Sequence, residues 1–366
     1  MEQIREITRA DMADVALGGA FLGTGGGGDP YIGRLMAEQA IEANGPVTVL
    51  DVDSLADDAL IVPVAMMGAP TVMLEKLPRG DEAINALRSL EAVLGRKADA
   101  VFCIEAGGLN STIPIAVAAS AGLPIVDGDG MGRAFPELQM VSMTMFDVHA
   151  CPMAMADEKG NALVLNTVDN LSTEKFARVI TVEMGGAGLI ALYPMTGKQA
   201  KTAILRGSLS LITNIGRIIG SEQAANRNPA DKLAADLNGM RLFEGRVTDV
   251  DRRTEGGFAR GKARIEGLES YRGQTMTLSF QNEFLLAEGE DGAPIAITPD
   301  LICLLDLETG QPITTETMAY GYRVIVFGLP CDPKWRSEHG LELVGPGYFG
   351  YEATYQPIEK LNNKSN

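Results

Sequence analysis

The spacing of apolar positions along this chain changes twice, near residue 168 and again beyond 240. In the first stretch, short apolar runs alternate with segments of helical period. ADMADVALGGAFL at 10–22 predicts a helix of small residues, and YIGRLMAEQAIEA at 31–43 predicts another. Between them, GTGGGGDP ends in Asp29-Pro30, which reads as an N-cap followed by proline at the first helical position. TVLDV at 48–52 and ALIVPVA at 59–65 are apolar runs of strand length. GDEAINALRSLEAVLG at 80–95 sets Ile84, Leu87, Leu90 and Val93 on one helical face. DAVFCIE at 99–105 predicts a buried strand, STIPIAVAASAG at 111–122 a helix, and LPIVDGD at 123–129 a further buried strand. Strand and helix in alternation imply parallel pairing with right-handed crossovers. QMVSMTMFDV at 139–148 and ALVLNT at 162–167 read as strands that extend or cover this sheet.

After 168 the pattern is less regular. ARVITVEMGG at 177–186 predicts a strand, TGKQAKTAILRGSLSLITNIGRIIG at 196–220 one long helix, and NPADKLAADLNG at 228–239 a shorter one. The long helix carries Leu205, Leu209, Ile212, Ile215 and Ile219 at helical spacing, a face for the core or for a homo-oligomer. Beyond 240, alternating segments separated by turn residues predict an antiparallel sandwich or barrel. The expected class is α/β plus mainly-β. Residues 1–167 form an N-terminal domain with an open parallel or mixed sheet, flanking helices and glycine-rich loops. Residues 168–358 form a C-terminal domain with the long helix and the antiparallel part, and 359–366 a flexible tail.

Composition narrows the partners. Lys and Arg number 31 against 48 Asp and Glu, a net charge of −17. Such a surface repels phosphate backbones and anionic lipids, so nucleic acid and membrane are poor partners. The apolar run at 112–126 is shorter than the ~20 residues a membrane span needs, and MEQIREITRADMADV lacks the pattern of a secretory leader. The four cysteines are far apart and without a CxxC pair, which fits a reduced, cytoplasmic compartment.

In an open parallel sheet, ligands bind beyond the carboxyl ends of the strands. Here those ends carry Gly68, then Glu105-Ala106-Gly107-Gly108-Leu109-Asn110-Ser111, then Asp127, Asp129, Arg133 and Glu137. Clustered carboxyls raise one another's pKa and suit acid–base work, which makes Glu105, Asp127, Asp129 and Glu137 the candidate catalytic groups. Asn110-Ser111 also reads as a helix cap, and the two aspartates as turn formers. Gly25, Gly26, Gly27, Gly68, Gly107 and Gly108 would give a ligand close access to main chain. Asp29, Asn110, Ser111 and Arg133 complete the N-terminal candidates for substrate binding, and Asn282 with Glu283, which interrupt an apolar run, are the candidates from the second half. A divalent metal, if bound, would take Asp127, Asp129 and Glu137. A calcium loop starting at Asp127 fails at Met131 and Leu138, and His149 and His339 have neither zinc-finger spacing nor a GxSxG partner. GTGGGGDP lacks the lysine of a phosphate loop and follows a helix instead of a strand. It reads better as a bare main-chain wall near EAGGLNS and DGDGMGR.

Taken in order, GTGGGGDP, GAP at 68–70, EAGGLNS, DGDGMGRAFPE with Gln139-Met140, FQNEFLL, PDLICLLD and YGYRVIVFG resemble the DUF917 family, named for S-methyl thiohydantoin desulfurase. The resemblance implies a two-part, small-molecule enzyme acting on a five-membered imidazolidinone or hydantoin-like ring. Its named reaction hydrolytically removes the methylthio group from an S-methyl thiohydantoin. It also implies a hydantoinase- or oxoprolinase-type partner, since members occur beside or fused to such proteins. On this reading Asp129 or Asp127 takes the proton of water, and Asn110 or glycine main chain supports a ring nitrogen. Glu105 or Glu137 assists the leaving thiolate, and Arg133 holds a substrate carboxylate. Two rival readings are a non-catalytic subunit of a hydantoinase-type enzyme and a nucleotide-dependent enzyme using the glycine loop.

Overall fold

Strands β1 (Glu6–Ile7), β2 (Val47–Leu50), β3 (Leu60–Gly68), β4 (Ala100–Cys103) and β5 (Ile125–Val126) lie in the order β1-β2-β5-β4-β3. This computed structural model describes residues 2–68, 79–255 and 258–362. The β2–β5, β5–β4 and β4–β3 pairs are parallel, as the alternation of strand and helix implies. Val62, Val64, Val101 and Ile125 are wholly buried, as parallel strands covered on both faces require. The linking helices are α1 (Met12–Leu22), α2 (Tyr31–Asn44), α3 (Glu82–Leu94) and α4 (Ile113–Ala121).

Strand β6 (Gly128–Asp129) follows β5 and leaves the sheet to pair with β11 (Leu205–Arg206). Past β3 the large sheet becomes antiparallel, through β9 (Ala187–Ala191), β7 (Met153–Ala156) and β8 (Ala162–Leu165). Strand β10 (Met195–Thr196) also pairs with β3. The sheet is therefore mixed, and it draws β9 and β10 from beyond residue 168.

Three local expectations are corrected. Residues 139–148 hold no strand; Met140, Val141 and Met143 are buried around a short helix, α5 (Ser142–Met145), and the strand comes later as β7. Residues 177–183 lie in α6 (Asn170–Glu183), whose start is fixed by Asp169 accepting the Ser172 N–H at 2.6 Å. Its β-branched Val179 and Val182 face solvent, where they imitate strand composition without packing as a strand. The long helix at 196–220 is two helices, α7 (Gly197–Ala203) and α8 (Ser208–Ala224), parted by β11 and by Gly207 at φ +73°. The next helix, α9 (Ala230–Leu237), is as expected.

The second half is a single curled antiparallel sheet. It contains β12 (Met240–Glu255), β13 (Phe258–Gly267), β14 (Thr275–Gln281), β15 (Glu283–Glu288), β16 (Pro294–Ile297), β17 (Leu301–Asp306) and β18 (Arg323–Leu329), in the order β16-β15-β14-β13-β12-β18-β17. Its ends return towards each other, β15 and β16 against β17, giving a half-barrel. Alternate residues of β17 and β18 serve two cores. Ile302, Leu304, Val324 and Val326 fill the half-barrel, while Cys303, Leu305, Ile325 and Phe327 pack on the first half. Phe21 of α1 meets Phe327 there, ring centroids 5.7 Å apart. Helices α10 (Glu338–Val344) and α11 (Ile358–Leu361) follow; Ile358 is fully buried, and Glu359 pairs with Arg336 at 3.0 Å. Residues 363–366 of the expected tail, and Ala69-Pro70 of the GAP motif, lie outside the described residues. Among the described residues, no helix is long and apolar enough to cross a membrane.

Candidate functional site

Where β3 and β4 stop pairing, their chain ends diverge, and Asn110 fills the gap. It sits in a 3-10 turn, Gly108–Ser111, ahead of α4. Its Oδ1 accepts the Met66 N–H at 2.7 Å, and its Nδ2 donates to the Met66 carbonyl at 3.2 Å and to Glu105 Oε1 at 2.6 Å. The half-barrel contributes from the opposite side. Asn282, at φ +59°, makes the tight turn between β14 and β15. Its N–H donates to Ala259 O at 2.7 Å, and its Oδ1 accepts the Ala259 N–H at 2.8 Å. That turn drives the next side chain, Glu283, inward until it is 2% exposed.

The glycine loops do meet. The carbonyl of Gly27 accepts the Leu109 N–H at 2.8 Å. Gly108 has φ +46°, and a Cβ there would stand 2.3 Å from the Gly27 oxygen. A Cβ on Gly107 would stand 2.9 Å from that of Ala134, and one on Gly26 only 2.0 Å from Glu283 Oε1. On its other flank the first loop joins the half-barrel: Thr24 O accepts the Phe284 N–H at 2.7 Å, and Gly25 O the Thr315 N–H at 2.8 Å. Glycine is needed here because Gly27 and Gly108 pack backbone on backbone, and Gly107 and Gly26 lie against the side chains of Ala134 and Glu283, with no room for a Cβ. The cap lies one residue later than expected: Pro30 is the N-cap of α2 and Tyr31 its first residue, while Asp29, one position before the cap, accepts the Tyr31 N–H at 2.9 Å.

These contacts enclose a pocket of about 70 Å³. Its polar lining is Glu105, Asn110, Glu137, Arg178, Asn282 and Glu283, with Gly27 and Gly68 as main chain. Met66, Met67, Ile104, Phe135 and Leu138 supply apolar wall. Burial pushes the Glu105 carboxyl up to about 8; the Asn110 hydrogen bond opposes this, and the charge of Asp129 adds to it. Burial drives Glu283 well above the usual carboxyl range, with the Glu105 charge adding and the Arg133 charge opposing. Glu283 Oε2 has no hydrogen-bond partner among the described residues. Two close buried carboxyls do not both ionise readily. The Asn110 donor favours ionisation of Glu105 ahead of Glu283, whose Oε2 has no such support. At the rim, Glu137 Oε2 accepts from Gln139 Nε2 at 2.5 Å and from the Tyr348 hydroxyl at 2.7 Å.

Several expected site residues are placed elsewhere. Asp129 is wholly buried and surrounded by donors: Oδ2 accepts the N–H groups of Ala106 (2.7 Å), Met131 (3.0 Å) and Gly132 (2.6 Å), and Oδ1 accepts from Ser208 Oγ at 2.5 Å. Asp127 accepts the Ser210 N–H at 2.9 Å and its hydroxyl at 2.6 Å. Both aspartates thus anchor the first turn of α8, a favourable place for negative charge, and neither lines the pocket. The suggested metal set of Asp127, Asp129 and Glu137 is accordingly split between places. Among the described residues, no group of three or more His, Cys, Asp or Glu is arranged to hold a metal ion.

Arg133 does not reach out to a substrate carboxylate. It is fully buried and donates to the carbonyls of Ala134 (3.0 Å), Pro299 (3.4 Å), Asp300 (2.9 Å) and Phe284 (3.0 Å), and to Thr24 Oγ1 (2.8 Å). With five N–H groups available to a guanidinium, these acceptors use its capacity and pin the two halves together. Ser111 lies behind the wall against Gly19 of α1. Asp29 is exposed in a separate groove with Arg34 and Gln311. Gly25, Gly26, Gly107 and Gly108 back the wall; of the expected glycines, Gly27 and Gly68 line it. Sequence reasoning missed Arg178, which belongs to the segment read as a strand. It pairs with Glu174 at 2.6 Å, donates to Pro136 O at 3.1 Å and lies 4.5 Å from the Phe258 ring centroid. No motif marks it.

Comparison with known proteins agrees with this architecture. The chain superposes on the crystal structure of a protein from Chromobacterium violaceum with a TM-score of 0.81 and 28% identity, over 97% of this chain and 100% of that one. No curated protein matches it. Residues 10–167 match the profile described as "S-Me-THD-like, N-terminal domain", and residues 168–358 that described as "S-Me-THD-like, C-terminal domain". With both profiles matched in order across nearly its whole length, the chain belongs to the S-Me-THD-like family, the S-methyl thiohydantoin desulfurase-like proteins its motifs resemble.

Proposed function

We propose that the protein is a hydrolase that cleaves the carbon–sulfur bond of a small five-membered ring of the S-methyl thiohydantoin type. The observation that carries this reading is the pairing of Glu105 and Glu283, two buried carboxyls from different sheets, at one small pocket with apolar walls. Family membership supports the substrate class.

The steps balance with these two groups alone. Water attacks the ring carbon that bears sulfur and gives a proton to the Glu105 carboxylate. The adjacent ring nitrogen takes the proton of Glu283 as the C=N bond opens. On collapse, the new hydroxyl returns a proton to Glu283 and becomes the carbonyl. The carbon–sulfur bond breaks, and the departing thiolate takes the proton held by Glu105. The products are a hydantoin and methanethiol. Asp127 and Asp129, engaged by α8, have no part in these steps. Ring opening is the natural next reaction of a hydantoin, so a hydantoinase-type protein is the proposed functional partner.

The test is to incubate the purified chain with S-methyl thiohydantoins and quantify methanethiol by headspace gas chromatography. Turnover that falls about 10²-fold or more in Glu105→Gln is expected of a lost general base. Absence of thiol release by the wild-type chain across a panel of such rings would refute the proposal.

A further inference from the structure

The polar lining of the pocket is lopsided. Three carboxyls face it, Glu105, Glu137 and Glu283. The one guanidinium lining it among the described residues, Arg178, is clasped by Glu174 through Nε at 2.7 Å and Nη2 at 2.6 Å. Arg133 is taken up by main-chain carbonyls and Thr24. The pocket therefore gives an anionic ligand little to hold. It offers Glu283 Oε2, an oxygen without a partner on a side chain 2% exposed. Beside it stands Glu105, whose Oε1 is held by Asn110.

With Glu105 ionising ahead of Glu283, the pair presents one acid and one carboxylate, which match a particular pattern in a ligand. A ring with an N=C–N unit has one nitrogen that accepts a hydrogen bond and one that donates. The accepting nitrogen answers the proton of Glu283, and the donating one answers Glu105. A hydantoin, or a thiohydantoin in its thione form, carries N–H on both sides of the same carbon. It leaves the Glu283 proton facing another donor, and a buried donor without an acceptor is costly.

We propose that this pocket is a site for cyclic amidines as a class: five-membered rings with an N=C–N unit whose carbon bears a small substituent. Glu283 Oε2 is the subsite for the imine nitrogen, and Glu105 the subsite for the N–H. S-alkylated thiohydantoins are one member, and 2-aminoimidazolin-4-one is another. The inference rests on the desulfurase reading for the identity of the pocket, but it concerns binding and requires no turnover.

The test is calorimetric titration with a matched pair, 2-aminoimidazolin-4-one and hydantoin, which share a ring and differ at the C2 unit. The wild-type chain is expected to bind the amidine at least about tenfold more tightly, the scale of one buried hydrogen bond gained against one left unmade. Glu283→Gln, whose amide still donates, keeps the preference while losing turnover. Glu283→Met, which cannot donate, brings the two affinities together. Equal affinities in the wild-type chain, tighter hydantoin binding, or an undiminished preference in a folded Glu283→Met variant would overturn the proposal. If Glu283→Met does not fold, the wild-type ratio still decides. Amidine preference without methanethiol release would remove the desulfurase reading and leave this one standing.

Discussion

Asn110 can face Glu105 only with its NH2 end. Its Oδ1 is taken by the Met66 N–H at 2.7 Å, so Nδ2 meets Glu105 Oε1 at 2.6 Å. The bond supports the ionised form of a carboxyl that burial otherwise pushes up to about 8. Removing it in Asn110→Ala raises the Glu105 pKa further. The rising limb of the pH profile of kcat/KM, set by Glu105 as base, is expected to move about one unit upward. An unmoved limb, measured on an S-methylated ring, removes Glu105 from that role.

Stability should fall as pH rises through the neutral range. Burial places Glu105 at about 8 and Asp129 at about 6 in the folded chain, above their ordinary values of 4.5 and 3.8. The unfolded chain then binds fewer protons than the folded one between those limits, so unfolding becomes easier with each step up in pH. The Glu105 contribution is complete below 4.5 and lost through about 8. Thermal midpoints between pH 6 and pH 8.5 should decline, and Glu105→Gln should flatten the slope. A midpoint that rises with pH across this window contradicts the assignment.

Asp129→Asn tests the structural role of that residue. The asparagine NH2 would confront N–H groups that now converge on Oδ2. Breaking a buried, fully engaged charge costs about 3–5 kcal/mol, readable as a shift in the urea midpoint. A loss below about 1 kcal/mol would return Asp129 to the list of candidate bases, since exposed sites behave that way.

Gly108→Ala and Gly95→Ala separate close approach from backbone conformation. Both residues have positive φ, +46° and +66°. Only Gly108 has an obstructing atom, the Gly27 oxygen at 2.3 Å, whereas a Cβ on Gly95 meets nothing within 4 Å. Gly95→Ala should cost about 1 kcal/mol. Gly108→Ala should cost several times more and open the wall of the pocket, with loss of ligand binding. Equal costs would mean that the loops are not tightly apposed.

Sequence made the wall and half of the chemistry legible. Glu105 and Asn110 follow an apolar run that could only be a buried strand, and Glu283 breaks another such run. Asp127 and Asp129 misled because a DxD at a strand end looks the same whether it faces a ligand or a helix. Here it faces Ser208 and Ser210, about eighty residues away, and no local pattern announces that contact. Arg133 misled for a similar reason: four of its partners, Thr24, Phe284, Pro299 and Asp300, lie in distant loops and strands. Strands β7 and β9, MAMA and AGLIA, are mostly small or flexible residues with weak strand propensity. The pairing of β9 with β3, and of β7 with β9 and β8, makes them strands, not their composition.

Glu105 follows a strand of the first sheet, and Glu283 opens a strand of the second. In water a carboxyl is an ordinary anion with no proton to lend at neutral pH. Burial between the halves removes that water and raises both pKa values, so a proton is held near neutral pH only where the two halves meet. On the proposed chemistry, the acid–base pair is complete only when both halves are in place.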